Sequence, residues 1–260
     1  MSDVPSDPMS APEDPGVGLR PSVPPGAVPG VAPHVLESEP DPASPAIDGA
    51  GPGMRRIRDR DGRTVATVLG GNPLDEAWTP PPSEEVEGDL VVWSGSLAPD
   101  LLAVHPHTWM QPGRDRLAER VEWLLPRVPE GRRLLLRAHA RQVLSDPPSV
   151  RAFLRERTGL PVGLLLEPAA VFEASMLGRD VEDHVDRVLS GLGDLAAMLL
   201  LGDVAAGDPV DGDGDDAAVV PRLVAPGRGR LPADALARAI KRWVAPAVPR
   251  VVRAEHAGGA

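Results

Sequence analysis

RLLLRAHARQVLSDPPSVRAFLRERTGLPVGLLLEPAAVF, residues 133–172, reads as strand, helix, strand. Leu134, Leu135 and Leu136 form an unbroken apolar run, as a strand covered on both faces requires. The run stops at Arg137, His139 and Arg141. Ser145-Asp146-Pro147-Pro148 then supplies an N-cap donor followed by proline in the first turn, where a missing N–H costs nothing. Val150, Phe153 and Leu154 fall on one helical face. Gly159 can adopt the left-handed conformation that ends a helix, and Pro161 bars continuation. Val162–Leu166 is a second buried run, ended by Glu167-Pro168. Two apolar strands joined by an amphipathic helix predict a right-handed βαβ unit.

The pattern extends in both directions. Upstream, Leu90–Trp93 and Leu101–Val104 read as strands, the latter ending at His105-Pro106-His107. Residues 114–128 read as a helix with Leu117, Val121, Leu124, Leu125 and Val128 on one stripe. Downstream, a helix capped by Asp180 carries Val181, Val185, Val188, Leu189 and Leu192 and is stopped by Gly191 and Gly193. Residues 195–201 form a strand ending at Gly202-Asp203, and 207–230 a long Gly/Asp/Pro loop. A helix opened by Leu231-Pro232 turns Leu236, Ile240 and Trp243 inward, and Val251-Val252 is the last short strand. Alternating strands and helices over residues 89–256 predict a parallel sheet with helices outside. No glycine-rich phosphate loop follows any strand, which favours a barrel over a dinucleotide fold. The expected architecture is an α/β barrel, TIM-like, complete or short of a full set of strands. Residues 54–256 form the domain, with 54–88 as hairpin and linker. The hairpin signal is Asp61-Gly62, between Arg56-Ile57 and Thr64–Val68. Five arginines lie in this hairpin, and a solvated strand face explains them better than an anion site.

Residues 1–53 hold thirteen of the 32 prolines and show no apolar periodicity. Such a segment buries too little surface to offset its ordering entropy and reads as a disordered tail. The net charge of -11 and a pI near 5.0 argue against nucleic acid or an anionic membrane as partner. There are no cysteines, so no disulfide and no thiolate chemistry. No signal peptide or membrane-spanning run is visible, so the cytoplasm is the expected location.

In a barrel the strand C-termini gather at one mouth. The polar residues there are His105, His107, Arg137, His139, Arg141, Glu167, Asp203 and Glu255. Imidazoles and carboxylates on one rim could hold a divalent ion, with Glu167 and His105 the best candidate ligands. They could also serve as acid and base (Glu167, His139, Glu255). His105, His107, Arg137, Arg141 and Asp203 could hold a small sugar or anionic ligand. The plain alternative is that strand ends are polar because they meet water. Asp211–Asp216 fails as a calcium loop, since Asp216 stands where glycine and Arg222 where glutamate is needed. His184, beside an apolar stripe, reads as structural. Neither GxSxG nor HExxH occurs.

Three stretches resemble the sugar phosphate isomerase/epimerase family, the xylose-isomerase-like barrels that include enzymes of the AP endonuclease family 2 type. They are RLLLRAH, TGLPVGLLLEPAAVF and LAAMLLLGD, and the loop PGRGRLPADAL is also similar. The resemblance covers about residues 89–256. It implies a metal-dependent isomerase or epimerase using Mn, Mg, Zn or Co. It also implies a ligand set that this chain alters: Arg137 stands for the family's Glu, Glu167 for its Asp, and Leu200 for its His. The terminal Glu maps to Arg253 or Glu255. A guanidinium where a divalent ion should sit repels the ion. Three readings follow: a divergent barrel with its metal site largely replaced, a sugar isomerase with a rebuilt site, or a non-catalytic barrel that binds a ligand or protein.

Overall fold

The computed structural model describes residues 34–37 and 253 (backbone only), 53–59, 61–205, 207 and 221–252. Eight strands close into a barrel. They are β1 (His34–Glu37), β2 (Met54–Arg58), β3 (Thr64–Leu69), β4 (Asp89–Trp93), β5 (Leu134–Arg137), β6 (Val162–Leu166), β7 (Ala196–Leu201) and β10 (Arg250–Arg253). The order around the wall is β1-β10-β7-β6-β5-β4-β3-β2. β2 runs antiparallel to both neighbours, and every other barrel pair is parallel. The expected hairpin is β2–β3, with Gly62 at φ +77 in its turn. β8 (Asp203–Ala205) and β9 (Arg222–Val224) pair as a separate antiparallel ribbon.

The leucine runs are buried on both faces because alternate side chains enter two different cores. Val91, Leu135, Leu165, Met198, Leu200 and Val251 fill the barrel with Ile57 and Ala66. Their neighbours Leu90, Leu134, Leu136, Leu164 and Leu199 point outward, against the helices. Those helices are α1 (Gln111–Leu124), α2 (Pro147–Arg155), α3 (Val181–Leu192) and α4 (Ala233–Trp243). α2 begins with a reciprocal capping box between Asp146 and Ser149, a device that satisfies two orphan donors at once. It is followed by Gly159 at φ +93. Among the described residues, no helix is long and apolar enough to cross a membrane.

Several expectations need correction. Residues 101–104 are not a strand. Asp100 draws the chain into a turn, its carboxylate accepting Leu102 N–H at 2.8 Å and its carbonyl Ala103 N–H at 3.2 Å, the local competition Asp offers against a ladder. Val104 is 55% exposed, so no buried face exists for it to join. α1 starts at Gln111, and its final turn tightens into a 3₁₀ turn over Leu125–Arg127. Asp180 precedes α3 without a side-chain capping bond. The loop after β7 contains β9. Within the stretch read as tail, His34–Glu37 is a strand, hydrogen-bonded between β10 and β2. The rest of that reading, apart from Gly53, lies outside the described residues, as do Asp211–Asp216 and Glu255.

Candidate functional site

The β5 and β6 strands end side by side at the barrel mouth, with Arg137 paired to Leu165 in the ladder. Arg137 therefore projects beside Glu167, the residue after β6. Its Nε donates to Glu167 Oε2 at 2.8 Å, and Nη2 donates to the same oxygen. The two side chains are 5% and 0% exposed. Trp93, at the end of β4, presents its ring face to the guanidinium, whose central carbon lies 3.6 Å from the ring centroid. The other carboxylate oxygen, Oε1, rests against Gly202 at the end of β7, where a β-carbon would stand 2.7 Å away. A buried cation and anion in contact, with the cation on an indole face, form a neutral and desolvated unit.

His139 stands next to it. Its ring meets Trp93 edge-on at 5.7 Å. Its Nδ1 accepts the Arg141 backbone N–H at 3.1 Å, so the neutral ring carries its proton on Nε2. Burial pushes its pKa down to about 4, helped by the positive charges of Arg137 and Arg141 and opposed by Glu167. Arg141 reaches Glu173 Oε1 at 3.7 Å and the Leu102 carbonyl at 3.4 Å.

Two buried amides stitch the mouth loops together. Gln142 Oε1 accepts from Ser94 Oγ and Gly95 N–H, both at 3.1 Å. Asn72 Nδ2 donates to the Ser96 and Ala98 carbonyls, and its Oδ1 accepts the Ser96 and Leu74 N–H groups. These bonds fix the segments that present Trp93 and His139.

Asp203, expected among the ligand contacts, is held by backbone N–H groups. It is 2% exposed. Oδ1 accepts the Val204 and Leu231 N–H groups, and Oδ2 those of Gly227 and Gly229, at 2.7 to 3.1 Å. The carboxylate thereby folds the PGRGRL loop back onto β8. His105 and His107 lie in the segment leading to α1. His105 is half-buried, His107 is exposed, and their rings are 5.4 Å apart. Among the described residues no three His, Asp or Glu side chains are grouped so as to hold a metal ion. His184 packs edge-on to Phe172 at 6.4 Å, as a structural histidine would.

Sequence reasoning passed over Trp93, Glu173, Gln142 and Gly202. Two of them left a signal. Trp93 ends an apolar run in a chain with only five Trp. Gly202 breaks LLLGD just where a neighbouring strand end needs room.

No family model matches the sequence, and no curated protein matches it. Solved structures resemble it in part. One is a xylose isomerase-like TIM barrel protein from Mycobacterium smegmatis in complex with magnesium, with 14% identity, 67% of this chain and 57% of that one covered, and a TM-score of 0.44. Another is the probable 3-DHS dehydratase AsbF from Bacillus anthracis, involved in petrobactin synthesis, with 12% identity, coverages of 65% and 58%, and a TM-score of 0.41. A third is the IOLI protein with a zinc atom, with 16% identity, coverages of 64% and 54%, and a TM-score of 0.38. The chain thus spans less than two thirds of the length of each.

Proposed function

We propose that this chain is a divergent barrel of the sugar phosphate isomerase/epimerase type in which a guanidinium–carboxylate pair has replaced the metal centre, and that it works by binding a small ligand or a partner rather than by metal chemistry. One observation carries the reading: the Arg137 guanidinium engages the strand-end carboxylate of Glu167 from both Nε and Nη2. A divalent ion needs several oxygen or imidazole ligands and tolerates no cation among them. The donor set at the mouth, a carboxylate already engaged by a guanidinium, does not fit one. Asp203 offers no substitute, because four backbone N–H groups hold its carboxylate. Arg137 and Arg141 are each engaged by a neighbouring carboxylate, so an anionic ligand would have to draw one of them away from it.

The test is elemental analysis of the purified full chain, joined to thermal melting with Mn, Mg, Zn and Co. The expected result is no stoichiometric metal and no saturable rise in melting temperature. A stoichiometric metal that disappears in Glu167→Ala would overturn the reading and restore the metal-dependent isomerase.

A further inference from the structure

The place that the Arg137 guanidinium occupies is shaped for a flat cation. Trp93 presents a ring face at 3.6 Å. Glu167 Oε2 meets the edge of the group, taking Nε at 2.8 Å and Nη2 as well. Gly202 leaves the carboxylate its room, since any β-carbon there would crowd Oε1. Both charged side chains are at least nineteen-twentieths buried. A weakly hydrated planar cation loses little on entering such a place, whereas a compact and strongly hydrated ion loses its water shell for a single carboxylate.

We propose that Trp93 and Glu167 form a binding site specific for guanidinium-type cations, filled in the native chain by its own Arg137. Shortening Arg137 empties that site, and it then takes free guanidinium from solution in preference to divalent metals. This rests on the metal-free reading above, but concerns the chemistry of the site rather than the metal content of the native protein.

The probe is guanidinium chloride at low concentration, added to the full chain carrying Arg137→Ala, with sodium chloride and urea as controls. Arg137→Ala melts below the wild type. Guanidinium at about 10 mM, far below denaturing levels, restores a saturable part of the loss by binding the folded state only. The wild type gains nothing, and the gain vanishes in Arg137→Ala/Glu167→Gln and Arg137→Ala/Trp93→Leu. No gain in a folded Arg137→Ala protein overturns the proposal. So does a gain that survives in both double variants, or one produced by divalent metals instead.

If Arg137→Ala does not fold, the wild type carries the test. The Arg137 Nε–H resonance, assigned by its disappearance in Arg137→Lys, should be protected from solvent exchange and shifted upfield by the indole. A freely exchanging, unshifted signal overturns the proposal. Failure here leaves the metal assay on the wild type untouched, so the two readings fall separately.

Discussion

Two buried carboxylates stand at neighbouring strand ends and are neutralised in opposite ways. Glu167, after β6, meets a single long side chain across the ladder, Arg137. Asp203, after β7, meets four peptide N–H groups from its own loop. The first arrangement joins two strands through side chains that other residues could replace. The second is woven into the backbone and shapes a loop whatever the barrel binds. A charged residue at a strand end is therefore not a site by position alone. Its partner decides whether it acts on a ligand, on a neighbouring side chain or on the fold.

The sharpest way to break this comparison is Glu167→Ala. It leaves Arg137 buried without its carboxylate, and truncating one partner of a buried pair costs about 3–5 kcal/mol. A urea midpoint at unchanged slope measures it. A loss below about 1 kcal/mol would mean that the pair is not a desolvated unit.

Acid probes the same region through His139, whose pKa is lowered to about 4 by burial, Arg137 and Arg141. The unfolded chain takes up this proton near pH 6.5 and the folded chain only near pH 4. The contribution is therefore fully present above about pH 6.5 and is lost as pH falls toward about 4, amounting to about 3 kcal/mol. The wild type should lose this stability relative to His139→Gln across that window. Parallel pH profiles for the two proteins would refute it.

The smallest effect is expected at the other carboxylate. Asp203→Asn keeps one acceptor oxygen, replaces the other with a donor, and removes the charge. It should cost about 1–3 kcal/mol. The signature is local: amide exchange at Gly227, Gly229 and Leu231 speeds up, while Nε–H of Arg137 stays protected. Loss of protection at both places would show that the two carboxylates share one network.

Local chemistry makes the central βαβ unit legible in the sequence. The apolar runs of β5 and β6, the Asp146-Pro147 start of α2 and the Gly159 stop are signals within a few residues of one another. The same holds for the Asp61-Gly62 hairpin. β1 was not legible. His34–Glu37 is four residues in a proline-rich setting, and what makes it a strand is the open ladder edges of β10 and β2 on either side. Leu101–Val104 misled for the reverse reason: its composition suits a strand, but the Asp100 turn bends the chain there and leaves Val104 exposed.

By itself the sequence determined the apolar periodicities of β5 and β6, the Asp146 cap of α2 and the placing of Arg137 and Glu167 at strand ends, because each depends on neighbours along the chain. Tertiary structure alone decided that Arg137 lies on Glu167 and Trp93, and that Asp203 turns back on the loop of Gly227, Gly229 and Leu231. Such contacts depend on ladder register and barrel closure. These join residues tens of positions apart, and no short stretch of sequence encodes them.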